Sequence, residues 1–181
     1  MTKQYVGNYA LALFSVCKEN SISIEEVYNE LLAINGIFND NAEFQLLLSS
    51  PTVTEEEKLD MLNEAFGGKM SDIVYDFMCV LTEKRMISVF SDICASFKSL
   101  YYDDINVVEA VVTTTVALSD VQKDKLKNKL KKQTGKDVIL IEKIDEQLIG
   151  GIVVNYSDTL IDASLKTRLA EMKNSVDSVI A

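Results

Sequence analysis

The feature that most constrains the fold is a change in hydrophobic period near residue 105. From Thr2 to Asp104, apolar residues recur three and four positions apart, which is the spacing of amphipathic helices. After Asn106 the period becomes two, as in VVEAVVTTTVAL, residues 107–118. The two periods require different secondary structure, so we predict an α+β protein with two domains, 1–105 and 106–181.

The N-terminal part carries regular signals for helix boundaries. Ser23 with Glu26 and Thr54 with Glu57 have the spacing of capping boxes, in which each side chain pairs an amide left free at a helix start. Further boundaries are marked by Pro51, by Gly67-Gly68 and, as an alternative break within the second helix, by Asn35-Gly36. These signals predict an all-α six-helix bundle, with helices near 3–19, 23–38, 41–48, 55–66, 70–84 and 87–104.

The C-terminal part predicts a small α/β domain with a mixed sheet and two helices. Its first strand has one face formed by Val108, Ala110, Val112, Thr114, Val116 and Leu118, and another that holds Glu109, Thr113 and Thr115. Ser119 with Gln122 opens a helix that Gly135 closes. Further strands are predicted at DVILIEKI, IVVNY and TLID, with a turn at Ser157-Asp158 and with Ser164 as the cap of a last helix.

The composition excludes several classes of function. The chain has no histidine, which removes catalytic triads and most zinc sites. Cys17, Cys79 and Cys94 lie among apolar neighbours and are odd in number, which predicts buried thiols in a reducing compartment. No uncharged apolar run approaches the ~20 residues that span a bilayer. The start resembles neither a signal peptide nor a presequence, so we expect the mature start of a cytosolic protein.

The net charge of −10 is unevenly distributed. Residues 1–105 carry 7 Lys/Arg against 17 Asp/Glu, whereas residues 106–181 carry 11 of each. The whole imbalance therefore lies in the first domain, which is a poor candidate for binding nucleic acid or anionic lipid. This asymmetry predicts different partners for the two domains.

Two glycines and two aspartates in LIGGIVVNYSDTLIDAS, residues 148–164, could indicate an enzyme. Gly150-Gly151 does not open a helix and lacks the spacing of a phosphate loop, which favours a bulge or a close backbone crossing. Asp158 falls in a hairpin turn and Asp162 precedes a helix, where carboxylates accept from free amides. We expect these two glycines and two aspartates to have architectural roles, which means that they shape the backbone and take no part in catalysis. The alternative is a histidine-free hydrolase that uses Asp158 and Asp162.

The segment KDKLKNKLKKQTGK holds seven lysines between positions 123 and 136, with Leu126 and Leu130 as its apolar stripe. One interpretation is a solvated helix face that also places cations at a helix C-terminus. The alternative is a basic-helix module that binds lipid or nucleic acid. The segment has no aromatic residue on which bases could stack.

The first helix has one polar residue in YALALFSVC, residues 9–17. Apolar side chains therefore point to nearly every side of it, whereas a surface helix needs only one apolar stripe. Either it is the buried central helix of the bundle, or one face packs inward and another receives a partner helix.

Several motifs match a known family in order along the chain. The most specific is Asp145-x-x-Leu148-Ile149-Gly150-Gly151-Ile152, followed by Asp158, Asp162, Ser164, Arg168 and Leu169. The others are Tyr9-Ala10-x-Ala12-Leu13-Phe14, Pro51 with Lys58, and Leu118-Ser119 before the lysine-rich helix. Together they resemble the delta subunit of F-type ATP synthase, a family that includes the mitochondrial oligomycin-sensitivity-conferring protein.

The resemblance implies a non-catalytic stator subunit without cofactor or metal, which couples rotation to proton or sodium transport and ATP synthesis. The N-terminal bundle would hold the N-terminal helix of an alpha subunit in a groove that includes Tyr9 and Ala12 on helix one and Val80 on helix five. The C-terminal domain would bind the b subunits of the peripheral stalk. The resemblance implies no nucleic-acid partner and only indirect membrane contact, at the cytoplasmic face of a bacterial cell membrane.

The chain departs from the family pattern at two places. A Glu-x-Gly-Arg-Leu-like turn is usual where this chain has Glu83-Lys84-Arg85-Met86-Ile87, and a glycine is usual where Ala163 stands. The first departure leaves the turn between the fifth and sixth helices open, and neither touches the predicted groove residues.

Overall fold

The computed structural model describes residues 2–157, 159–170 and 172. Its helices and four-stranded mixed sheet make it an α+β protein. The chain divides into two compact units, Met1–Tyr102 and Asp103–Ala181. The division lies close to the predicted boundary at residue 105, and independent folding of the two domains stays a prediction.

Helices form the first unit, and their bounds follow the predicted ones closely. They are α1 (Thr2–Glu19), α2 (Ile24–Asp40), α3 (Ala42–Ser49), α4 (Glu55–Phe66), α5 (Asp72–Glu83) and α6 (Phe90–Asp104), with a 3₁₀ turn at Ile87–Val89. The Ser23 side chain accepts from the Glu26 amide, and Thr54 with Glu57 forms a complete capping box. Helix α2 continues through Asn35-Gly36, so the alternative break there is wrong.

One hydrophobic cluster, drawn from all six of these helices, forms the core of the first unit. Phe38 lies at its centre, 2% exposed. Its ring contacts Phe90 edge-on, with centroids 5.3 Å apart, and Phe66 in the same manner at 6.3 Å. Edge-to-face pairs of this kind add to the free energy gained by burying the rings. The cluster therefore ties α2, α4 and α6 together.

The second unit is built on a strand–helix–strand unit extended by a hairpin. Its elements are β1 (Val107–Thr114), α7 (Asp120–Thr134), β2 (Asp137–Ile144), β3 (Gly151–Tyr156) and β4 (Thr159–Ser164). The strand order is β2-β1-β3-β4, with β1 and β2 parallel and the other pairs antiparallel. Parallel neighbours need a long crossover, and α7 supplies it.

The inward face of β1 is confirmed only as far as Thr114. Val108, Ala110, Val112 and Thr114 are buried, but Val116 is 70% exposed because the strand has ended. The Thr114 hydroxyl donates to the Val116 carbonyl at 2.8 Å, and this hydrogen bond stabilises a bend directly after the end of β1. The predicted continuation through Val116 and Leu118 is therefore wrong. Leu118 still packs against the core from the loop, partly buried.

Ser164 caps a helix as predicted, because its Oγ accepts from the Thr167 amide at 3.3 Å. Residues 165–170 are helical, and the later part of the predicted last helix lies mostly outside the described residues. Cys17 and Cys94 are buried, as expected from their neighbours. Cys79 is only partly buried, so the prediction of a buried thiol is wrong there.

Candidate partner-binding faces

Helix α1 has one buried face and one exposed apolar face. Its buried residues are Val6, Ala10, Leu13 and Cys17, none more than 5% exposed. Tyr5 and Val16, 54% and 41% exposed, lie on another face together with Ala12, whereas Leu11, 52% exposed, projects from a third side of the helix. A helix buried on all sides would expose none of these side chains. The interpretation of α1 as the buried central helix is therefore wrong.

The predicted groove residues on α1 border the exposed side. Ala12 is exposed, and Tyr9 is half-buried and packs against the core of the first unit. A small residue at position 12 leaves open space between the flanking side chains, where another helix backbone could approach. The geometry therefore leaves Ala12 accessible to a partner.

Val80 lies on the exposed side of α5 and is 42% exposed. Most of the apolar side chains of α5 point inward, including Val74, Phe77, Met78 and Leu81. Asp76 and Glu83 are exposed four positions before Val80 and three after it, which places them on the same face. Val80 is therefore an apolar side chain bordered by negative charge.

Helices α1 and α5 both pack on α2 and contribute to the same core. The α5 start is also held by a contact that the sequence did not indicate. Both carboxylate oxygens of Glu30 in α2 accept from the Ser71 amide, at 3.2 and 3.1 Å, and one also accepts from its hydroxyl at 2.7 Å. Ser71, the N-cap residue of α5, makes no side-chain cap of its own, and Glu30 holds this residue in place from another helix.

The cysteine environments oppose a nucleophilic role. Burial raises the pKa of the Cys94 thiol to about 12, and its Sγ donates to the Leu31 carbonyl at 3.8 Å. Burial also raises the pKa of Cys79, although a hydrogen bond with Tyr75 opposes the shift. Both thiols are protonated at neutral pH, whereas a nucleophilic cysteine requires the thiolate.

Gly150 and Gly151 allow two backbone segments to cross closely, as predicted. Gly151 has φ 92°, and a Cβ there would lie 2.5 Å from the Ala163 carbonyl oxygen and 2.8 Å from the Ser164 Cα. A Cβ on Gly150 would lie 2.8 Å from a Leu165 methyl group. These distances leave no room for a phosphate above the Gly151 Cα on that side.

Asp162 fastens the end of β4 to the following helix. Its Oδ1 accepts from the Ser164 amide at 2.8 Å, and its Oδ2 accepts from the Thr167 hydroxyl at 2.8 Å. The Ser164 amide, followed by the Thr167 hydroxyl, lowers the pKa of the carboxyl. An acceptor fully engaged in local hydrogen bonds fits the predicted architectural role of Asp162. Asp158 lies outside the described residues.

The lysine-rich helix α7 covers one face of the sheet. Leu130 is 2% exposed and Leu126 packs beside it, which confirms the apolar stripe. Ion pairs join Lys123 to Glu142 at 2.6 Å and Lys131 to Asp137. The Lys123 hydrogen bond lowers the pKa of the Glu142 carboxyl. The remaining lysines of α7 are exposed.

In the part of the chain that the structure describes, neither a cluster of metal-ligating side chains nor a membrane-spanning helix occurs. No group of three or more histidine, cysteine, aspartate or glutamate side chains there is arranged to hold a metal ion. No helix among the described residues is long and apolar enough to cross a membrane. The candidate functional features are therefore the exposed faces of α1, α5 and α7.

A family model described as "ATP synthase delta (OSCP) subunit" matches residues 6–176. The chain belongs to this family. ATP synthase subunit delta of Desulforudis audaxviator is 34% identical over 170 residues, covering 94% of this chain and 93% of the relative. The "ATP synthase subunit delta, sodium ion specific" of Ilyobacter tartaricus is 31% identical over 170 residues, covering 93% and 97%. The match to the delta family thus extends over both units.

A solved structure also shares the delta-family fold. The chain matches part of "Cryo-EM structure of Toxoplasma gondii mitochondrial ATP synthase hexamer" with a TM-score of 0.73 at 22% identity. The match covers 94% of this chain and 96% of that chain. At this identity the likeness supports the fold.

Proposed function

We propose that the chain is a non-catalytic stator subunit of an F-type ATP synthase, which links the catalytic head to the peripheral stalk. The observation that carries the proposal is the exposed apolar face of α1 in a chain that matches the delta family over both units. Exposed apolar surface of this kind is typical of protein–protein contacts. The subunit transmits force between two assemblies, so it requires binding faces and no active site of its own.

The face that contains Tyr9 and Ala12, together with Val80 on α5, binds the N-terminal helix of an alpha subunit in this proposal. An amphipathic helix docks by inserting apolar side chains at turn spacing into such a surface. The small Ala12 lets the two helix backbones approach to the 8–10 Å typical of packed helices. Desolvation of this apolar contact slows dissociation, as a link under torque requires.

The acidic residues beside Val80 indicate the chemistry of the bound helix. Asp76 and Glu83 share the exposed face of α5 with Val80, and the first domain carries the full net charge of −10. Complementary charge speeds association and selects orientation more than it adds affinity. We therefore expect lysine or arginine next to the apolar stripe of the alpha-subunit helix.

The second unit binds the b subunits of the peripheral stalk in this proposal. The subunit would then lie at the cytoplasmic face of the cell membrane and contact the membrane only through the complex. The different charges of the two parts support distinct partners for them. A pull-down from a lysate of the native organism tests the assignment, because both alpha and b subunits should accompany the chain.

A matched pair of substitutions on α1 tests the groove. Ala12→Leu fills the exposed face, whereas Ala10→Leu, two residues away, enlarges a side chain that is fully buried. We expect Ala12→Leu to weaken binding of a synthetic alpha N-terminal peptide at least about tenfold with a nearly unchanged melting temperature. Ala10→Leu should lower stability by about 1–3 kcal/mol, because it overpacks the core.

Calorimetry with the full chain measures affinity, and circular dichroism measures melting. Unchanged peptide affinity in Ala12→Leu would contradict the proposed groove. A large fall in its melting temperature would show that Ala12 belongs to the core. The Ala10→Leu variant calibrates the second outcome, because both variants add the same side chain to the same helix.

A further inference from the structure

Three lysines of α7 form a row along one flank of the helix. Lys125, Lys129 and Lys132 are spaced four and three positions apart, so their side chains project from the same face. Val121, one turn before Lys125, continues the same line and is 64% exposed. We call Lys125, Lys129 and Lys132 the lysine row. It is separate from the apolar stripe that holds α7 on the sheet.

The other lysines between positions 123 and 136 have a carboxylate partner or an acidic neighbour one turn away, because Lys127 follows Asp124 by three positions. Lys123, Lys131 and Lys136 each form an ion pair. Across residues 2–157, 159–170 and 172, nothing forms an ion pair or a side-chain hydrogen bond with the three lysines of the row, and all three are exposed. None has an acidic residue three or four positions away along the helix. Their positive charges are therefore uncompensated within the helix.

The role of α7 in the fold does not explain this arrangement. Lysine near a helix C-terminus interacts favourably with the helix dipole, but the effect is confined to the last turn. Lys132 lies in that turn, while Lys125 and Lys129 lie well before it. Like charges one turn apart destabilise a helix, so Lys125 next to Lys129 is unfavourable in the isolated chain. A negatively charged partner bound along the row would offset this repulsion and make the two neighbouring lysines favourable.

We infer that the lysine row binds an acidic segment of another protein subunit, with Asp or Glu side chains repeated at helical-turn spacing. The spacing of the row matches carboxylates placed every three or four residues along a helix. Val121 would add an apolar contact at one end of the row. This inference rests on the proposed stator function, because it seeks the partner within the ATP synthase complex.

Two other classes of partner fit the row less well. A helix that inserts into a lipid surface needs an exposed apolar face, whereas Leu126 and Leu130 pack against the sheet. Single-stranded nucleic acid is bound through aromatic side chains, and α7 has none. An acidic protein segment needs only the positive charges of the lysine row for binding, without an apolar face or aromatic side chains.

Chemical labelling of the intact complex tests the inference. ATP synthase purified from the native organism and the isolated full chain are each acetylated briefly, and modified lysines are quantified by mass spectrometry. We expect the lysine row to react about tenfold more slowly in the complex than in the isolated chain, because its amines are paired there. Lys127, on the opposite flank of α7, is the internal control and should change little.

A zero-length carbodiimide cross-linker identifies the partner, since it joins amines only to carboxylates in contact. Cross-links from the lysine row to acidic residues of another subunit are expected. The variant K125Q/K129Q/K132Q should lose them and dissociate from the complex at lower salt, because screening weakens what charge pairing remains. The control K127Q/K143Q/K166Q removes the same charge from exposed positions elsewhere in the second unit and should behave as the native chain.

The outcomes separate the inference from the function on which it rests. A chain that is present in the complex, but whose row is acetylated as fast as in isolation, overturns the inference alone. Cross-links confined to carboxylates of the same chain also overturn it. Protection that requires phosphatidylglycerol vesicles or DNA instead of the complex assigns the row to another class of partner. If the chain is missing from purified ATP synthase, the proposed function fails as well.

Discussion

The two units of the molecule differ in how much of their stability can come from a hydrophobic core. The first unit buries large side chains from six helices, and Phe38, Phe90 and Phe97 are nearly or fully inaccessible. The core of the second unit consists of Val108, Ala110, Val112, Leu130, Val154 and Tyr156 among the described residues. A small core contributes less free energy, so the second unit depends more on local backbone contacts.

The two units should therefore be sensitive to mutation at different kinds of position. In the first unit, truncating a central aromatic side chain should be most damaging, while exposed positions such as Ala12 are free to serve binding. In the second unit, the close approach at Gly151 and the hydrogen bonds of Asp162 hold the hairpin and the following helix together. The faces proposed for binding lie outside these structural contacts in both units.

Removing Phe38 should have the largest effect. Phe38→Ala leaves a cavity where the ring contacted Phe66 and Phe90, and we expect a loss of about 3–5 kcal/mol. Hydrogen exchange on the full chain should show loss of protection throughout the first unit. Leu46→Ala, at a position 69% exposed, is the control and should change stability by less than about 0.5 kcal/mol. Equal loss of protection in both units would contradict the separation.

Gly151→Ala should have the next largest effect, and it should act on the second unit. The added Cβ would overlap the Ala163 carbonyl, and the residue would also be strained at φ 92°. We expect a loss of about 3 kcal/mol from strain and overlap together. Gly68→Ala is the matched control, because Gly68 has φ 67° with open space around it, and should cost about 1 kcal/mol. If denaturant titration gives similar losses of stability for Gly151→Ala and Gly68→Ala, the β4 backbone moves aside to accommodate the added Cβ.

Local signals in the sequence predicted most of the elements, because caps, breakers and hydrophobic period act over a few residues. Thr54 with Glu57 and Ser119 with Gln122 form the capping boxes that their spacing indicated. The anchor from Glu30 to Ser71 joins residues 41 apart and has no local signal. The sequence left two interpretations of α1 open, because apolar content alone does not reveal which face other helices cover.

Removing the Glu30 carboxylate should weaken the first unit to a lesser degree. Glu30→Ala leaves the Ser71 amide and hydroxyl without their acceptor, and hydrogen bonds to charged groups contribute about 1.5–3 kcal/mol. Exchange should increase first in the opening turn of α5. Glu64→Ala, an exposed glutamate on α4, provides the control. An unchanged exchange rate at Ser71 would show that water replaces the carboxylate without loss.

A small gain in stability is expected at the turn between α5 and α6. Arg85 adopts φ 56°, a left-handed conformation that glycine adopts without strain. Relief of left-handed strain should outweigh the greater freedom of glycine in the unfolded chain, so Arg85→Gly should stabilise by about 1 kcal/mol. Lys84→Gly, at φ −79°, is the control and should destabilise. A loss of stability in Arg85→Gly would show that the arginine side chain contributes more than the strain costs.

Asp162 should give the smallest effect, and one that depends on pH. Its carboxyl has a lowered pKa in the folded state because the Ser164 amide and the Thr167 hydroxyl donate to it. The stabilisation is therefore fully present above the unfolded pKa of about 3.9 and is lost as pH falls from there through the folded value.

Asp162→Asn removes the titrating group and keeps the shape of the side chain. The difference in stability between the native chain and this variant should be largest near neutral pH and should shrink below about pH 4. Glu57 and Glu142 also have lowered pKa values, but they titrate in both proteins and cancel in the comparison. A difference that stays constant on acidification would mean that the charge of Asp162 does not hold the helix to β4.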